Sequence, residues 1–171
     1  AACAQDAFAV NEEKMNAVLD KSFEKKATSY AEGYEILRDR HIEDYKELFD
    51  RVSFTLEYDT NDLNRTTDEL VSNYQSKKGN GRYLEMLYYQ YGRYLLIASS
   101  REKTLPSNLQ GVWNRYNFTP WSGGYWHNIN VQMNYWPAFS TNLAETFSAY
   151  AEYHKAYIPV AQRVASEFLK T

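Results

Sequence analysis

A mainly α-helical fold with one short strand is what this sequence predicts, and three observations carry the prediction. Apolar residues recur at helical spacing through most of the 171-residue chain. The period drops to two at one place only, residues 52–58. The breakers Pro106, Gly111, Pro120, Gly123 and Gly124 gather in a single long segment, 99–136. No repeat, low-complexity stretch or domain linker interrupts the pattern, so the residues read as one mostly helical unit.

A first helix is predicted over 12–27, where Met15, Val18, Leu19, Ser22 and Phe23 keep helical spacing and Glu12 and Glu13 suit its N-terminus. A second is predicted from about Tyr30 to Phe49, with Tyr34, Leu37, His41, Tyr45, Leu48 and Phe49 along one side. The charged run 39–44 points around that helix rather than to one side, which makes it a solvated face and not a metal site. Val52, Phe54, Leu56 and Tyr58 then alternate with polar residues, the pattern of a half-buried strand. After a polar loop, Thr66 and Glu69 have capping-box spacing for a short helix that ends in the turn at 76–81. Residues 82–100 are apolar nearly all round, so that helix expects neighbours on several sides. A last helix is predicted after Pro137, with Asn142 as its cap and Glu145 at its third position, running to about Leu169 with a kink or break at Pro159.

Composition narrows the function. With 44% hydrophobic and 24% charged residues, the chain is neither disordered nor fibrous. Its longest aliphatic stretch, near 94–98, falls far short of the roughly 20 residues of a membrane-spanning helix. Nineteen basic residues against 22 acidic ones leave a net charge of −3, so there is no basic footprint for nucleic acid. Cys3 is the only cysteine, which excludes an internal disulfide and a cysteine-built zinc site. No nucleotide loop, cofactor motif or Ser-His-Asp pattern is present, and no cofactor is expected. His41, His127 and His154 lie far apart in sequence, so no metal role is expected either. The chain lacks an initiator Met, and its first ten residues lack the layout of a signal peptide. Ala-Ala-Cys3 resembles a lipoprotein cleavage site without the apolar residues that should precede it, so the expectation is an excerpt or a processed product. Asn64 and Asn117 head Asn-x-Thr sequons, which matter only in a eukaryotic secretory host.

The chemistry is expected in 99–136, which holds all four tryptophans: Trp113, Trp121, Trp126 and Trp136. A segment of that length between helices is usually functional or disordered, and four tryptophans argue against disorder. Exposed Trp and Tyr faces stack on the apolar side of sugar rings, whereas buried ones plug the space between helices, and composition leaves both open. Within His127-Asn-Ile-Asn-Val-Gln132, an extended backbone projects Asn128, Asn130 and Gln132 from one side and Ile129 and Val131 from the other. Carboxamides do not titrate near neutral pH. They can hold a water and orient a carboxylate, or equally satisfy turns and buried backbone.

Several motifs in the same order resemble glycoside hydrolase family 95, the α-L-fucosidase family that also contains α-L-galactosidases. They are Leu105-Pro-Ser-Asn-Leu-Gln-Gly-Val-Trp-Asn114, Pro120-Trp121, Asn128-Ile-Asn-Val-Gln-Met-Asn-Tyr-Trp-Pro137 and Thr141-Asn-Leu-Ala-Glu145. Upstream, Arg40-His-Ile-Glu-Asp-Tyr45, Leu48-Phe-Asp-Arg-Val52 and Tyr91-Gly-Arg-Tyr-Leu-Leu-Ile97 are similar too. The resemblance implies an (α/α)6 toroid with a helical linker before it. Residues 1–65 then fall in the linker region, and 66–171 form the opening, incomplete part of the catalytic barrel. It implies hydrolysis of terminal α-L-fucose, notably 1,2-linked to galactose, with inversion, which needs a carboxylic acid and a carboxylate base on opposite sides of the bond.

By the same resemblance, Asn128 and Asn130 position the water and the base. Trp113, Trp121, Trp126, His127, Gln132 and Trp136 are candidates for substrate contact. The family's Glu acid and Asp base are expected beyond Thr171, so this chain alone is expected to be silent. Its partners are then a fucosylated oligosaccharide and the remainder of the enzyme. Where the family commonly has His, two positions before the first Asn, this chain has Trp126, with His127 adjacent. Glycan-degrading relatives are often exported, which favours an extracellular or periplasmic location. A competing reading is a non-catalytic helical module for carbohydrate binding or scaffolding.

Overall fold

The computed structural model describes residues 30–169. Six α-helices follow one another: α1 (Tyr30–Phe49), α2 (Thr67–Gln75), α3 (Arg82–Ser99), α4 (Asn130–Tyr135), α5 (Pro137–Ser140) and α6 (Phe147–Val164). Short 3-10 turns occupy Thr60–Asn64, Pro120–Gly123 and Ala144–Thr146, and a π-helical turn at Ala165–Leu169 continues α6. The expected helix at 12–27 lies outside the described residues. Two compact units divide between Glu47 and Leu48, within α1. In the first, α1 exposes all of 39–44, and Arg38 pairs with Glu35 and Asp39.

The predicted strand is corrected. Residues 52–58 belong to no strand or helix, and the one β-bridge among the described residues joins Asn108 to Gly111. The alternation survives in another role. Phe54 packs 4.7 Å from the Tyr89 ring and Tyr58 packs 5.0 Å from Tyr83, while Ser53, Thr55 and Glu57 face solvent. The period of two therefore lays one side of the segment along helix α3. A strand needs a partner strand for its main-chain groups, whereas helix α3 offers this segment side-chain packing only.

Helix α2 starts in the expected capping box. Thr66 Oγ1 accepts from Glu69 N, and the Glu69 carboxylate accepts from Thr66 N at 2.8 Å. It ends in a Schellman turn, with Lys77 left-handed, Lys78 N donating to Asn73 O and Lys77 N to Tyr74 O. Gly81, at φ +68°, then leads into α3. A Cβ at this position would lie 2.5 Å from Tyr74 Cδ2.

Helix α3 buries Arg93, Leu96, Ile97 and Ser99, and leaves Tyr88, Tyr91 and Tyr94 open to solvent. Arg93 is the junction of this unit. Its guanidinium donates to Leu48 O (3.0 Å), Phe49 O (2.8 Å), Thr141 O (3.3 Å) and Gln90 Oε1 (3.1 Å), and lies over the Phe49 ring. Two of those acceptors are C-terminal carbonyls of α1, which have no partner within their own helix. Arg51 reinforces the same corner by pairing with Glu145.

The last helix begins later than its sequence signals. Asn142 is left-handed (φ +56°), Leu143 N donates to Ala138 O and Asn142 N to Phe139 O, so Asn142 ends α5 in a Schellman turn instead of capping α6. Leu143 and Ala138 are both fully buried, as the apolar contact of that turn requires. Glu145 is drawn to Arg51 and lies in the 3-10 turn before α6. Helix α6 runs through Pro159 without a break. Val131, Tyr135, Ala138, Leu143 and Ala149 join Leu96 and Ile97 as the buried apolar core.

Candidate active site

The long segment between α3 and α4 is fastened at its base by a buried hydroxyl cluster. Tyr135 Oη lies 2.7 Å from Ser100 Oγ and accepts from Ser107 N at 2.8 Å, and Ser107 Oγ lies 2.7 Å from Ser99 Oγ. From the neighbouring position in α4, Asn134 Nδ2 donates to the carbonyls of Ser107 and Asn108. Asn108 Nδ2 in turn donates to Gly123 O, and Gln110 Nε2 to Pro120 O. The amides of 105–114 and 128–137 thus stitch three stretches of irregular backbone together.

The carboxamide pair sits on a strained turn. Trp126 (φ +50°) and Ile129 (φ +73°) are both left-handed, and Val131 N donates to Trp126 O at 3.3 Å. Such a conformation is a genuine outlier for a β-branched residue and costs about 1–3 kcal/mol. It corrects the expected extended run at 128–132. The chain turns at Ile129 and enters α4 at Asn130, where positions two apart point to nearly opposite sides. The side chains of Asn128 and Asn130 are exposed and have no hydrogen-bond partner among the described residues. Gln132 is half-buried instead, and its Nε2 donates to His127 O. It secures the loop from behind.

Trp113, Trp121, Trp126 and Trp136 are all exposed, between 46% and 66%. Among the described residues these four rings lie at the surface. Trp113 lines an open cleft of about 800 Å³ together with Tyr88, Tyr91, Leu95 and Gln110. From Lys103 to Ala144 the sequence contains no Asp or Glu, so this segment supplies amides, hydroxyls and aromatic rings, while Glu85 of α3 brings a carboxylate to the cleft.

His127 meets His154, a contact that lies outside the sequence-based expectations. His127 Nδ1 lies 3.3 Å from His154 Nε2, His127 Nε2 lies 3.3 Å from Tyr153 Oη, and His154 Nδ1 lies 2.9 Å from Tyr150 O. The His127 ring stacks on Tyr153 and Tyr157 at 5.6 and 5.4 Å between centroids. Burial and a neighbouring tyrosine hold the Tyr153 hydroxyl above its ordinary pKa, as they do for Tyr125 beside it, so Tyr153 remains a donor. The spacing 153, 154, 157 on one helix was the available signal, but it identifies the loop residue it meets only once the fold is known. Among the described residues, no group of three or more His, Cys, Asp or Glu is placed to hold a metal ion.

A helical unit that holds an exposed amide pair and aromatic faces on an irregular loop is the kind of surface that grips a sugar. Residues 33–171 match the glycosyl hydrolase family 95 catalytic domain, and the chain belongs to that family. It is similar to "Probable alpha-fucosidase A" of Aspergillus niger, 44% identical over 112 residues that make up 66% of this chain and 14% of that protein. The protein of the same description from Aspergillus oryzae is 48% identical over 120 residues, 68% of this chain and 16% of its own length. "Alpha-L-fucosidase 2" of Arabidopsis thaliana is 41% identical over 127 residues, 72% of this chain and 15% of its own. The chain thus spans about one seventh of the length of these relatives.

Proposed function

We propose that this chain is part of a fucosidase-like glycoside hydrolase that releases terminal α-L-fucose, 1,2-linked to galactose, with inversion of the anomeric centre. The observation that carries the reading is the exposed Asn128–Asn130 pair, whose side chains have no partner among the described residues and which sits on a strained turn in a segment, 103–144, without Asp or Glu. Amides held in this way can orient a water and a carboxylate while the proton transfers belong to groups outside this segment. By the family resemblance, the Glu acid and Asp base lie outside this chain, which alone is expected to be silent. Trp113, Trp121, Trp126 and Trp136 are walls on which fucose or its aglycone stacks. Residues 1–65 are proposed as the linker region and 66–171 as the opening of the catalytic barrel.

The test is the pair Asn128→Ala and Asn130→Ala in the full-length hydrolase, assayed on a 1,2-fucosyl galactoside. Each is expected to lower kcat by about 100-fold or more with KM changed far less, because the lost contact acts on water and base in the transition state. Wild-type kcat in both variants overturns the assignment.

A further inference from the structure

The contacts around His127 form a hydrogen-bond chain whose direction is fixed from one end. The Tyr150 carbonyl can only accept, so His154 Nδ1 carries the proton of that 2.9 Å bond. In the neutral ring, His154 Nε2 is then an acceptor, and His127 Nδ1 must donate to it. His127 Nε2 in turn accepts from the Tyr153 hydroxyl. Both nitrogens of His127 are committed to α6, its ring is stacked on Tyr153 and Tyr157, and its carbonyl receives the Gln132 amide. The next residue in the chain is Asn128.

We propose that His154, with Tyr153, is a positioning residue that acts through His127 to hold the Asn128–Asn130 turn in its working geometry. The inference rests on the fucosidase reading above. The physical need is clear at Ile129, whose left-handed backbone persists only while its surroundings hold it. The anchor on the N-terminal side of that strained residue is the His127 ring, and α4 is the anchor on the other. If His154 ceases to accept from His127, the imidazole can rotate, the turn can relax, and two exposed carboxamides lose their fixed aim. A displacement near 1 Å is enough to cost about 100-fold in rate.

The experiment compares His154→Phe, His154→Gln and Tyr153→Phe in the full-length hydrolase on the 1,2-fucosyl galactoside. Phe keeps the ring volume and removes both nitrogens, while the Gln carbonyl oxygen can still accept from His127 Nδ1. The expected result is a loss of kcat of about 10-fold or more in His154→Phe with KM within about twofold, and recovery of most of it in His154→Gln. Equal losses in the Phe and Gln variants, or wild-type kcat in His154→Phe, overturn the positioning role. If His154→Phe does not fold, Tyr153→Phe decides: removal of one hydroxyl should lower kcat at unchanged KM, and an unchanged kcat overturns the proposal. A folded wild-type hydrolase without activity on any fucoside overturns the functional reading instead, and this one with it.

Discussion

Substitution of Arg93 by Lys tests the junction that holds the second unit together. The guanidinium is 2% exposed and reaches three main-chain carbonyls, Leu48 O, Phe49 O and Thr141 O, together with the Gln90 amide. Lysine keeps the charge but concentrates its donors on one nitrogen, which cannot take the place of a planar fork that spreads over separate acceptors. At best it serves one of the α1 carbonyls and leaves two buried acceptors unsatisfied. At about 1–3 kcal/mol for each orphaned group, the loss is about 3 kcal/mol, a large share of the stability of an ordinary domain. Urea denaturation of the wild-type and Arg93→Lys proteins side by side reads this as a lower midpoint at unchanged slope. A variant within about 1 kcal/mol of wild type would refute the argument that Arg93 replaces the missing C-terminal partners of α1.

Three further outcomes follow from other contacts. Tyr135→Phe removes the acceptor of Ser107 N in a fully enclosed site and should cost about 1–3 kcal/mol by the same denaturation, with an unchanged midpoint counting against the hydroxyl cluster as the base of the loop. Gly81→Ala meets both a left-handed backbone and the Tyr74 ring, so it should destabilise by at least about 1 kcal/mol, and a stabilised variant would contradict the geometry. The hydrogen bond from Arg51 holds the Glu145 carboxyl below its ordinary 4.5, so its stabilisation is present above that pH and fades as pH falls through the lower folded value. Because the Glu145 side chain is 57% exposed, the effect is below about 1 kcal/mol. Glu145→Gln should therefore flatten the acid limb of stability slightly, and an unchanged limb would contradict the pairing.

The helices were legible where local signals agree with packing. Helix α1 spans Tyr30–Phe49 as its periodicity indicates, and the Thr66–Glu69 box closes as its spacing requires. Asn142 and Glu145 misled because a cap residue and a left-handed Asn carry the same sequence signature. Only the burial of Ala138 and Leu143 decides between them. The alternation at 52–58 was real, yet a period of two does not say whether a strand or a helix lies opposite. At the site, the amides were visible as residues, but their geometry depends on Trp126 and Ile129, whose left-handed backbone neither side chain favours. The convergence of 48–52, 91–97 and 141–145 on Arg93 and the Arg51–Glu145 pair shows that much of the family resemblance marks scaffold contacts.

The central claim is most directly tested by the anomer that the full-length hydrolase releases first from a 1,2-fucosyl galactoside, followed by proton NMR before mutarotation. The account predicts β-L-fucose at early times, the product of a single water attack with inversion. α-L-Fucose first, or no fucose from a folded enzyme, would contradict it.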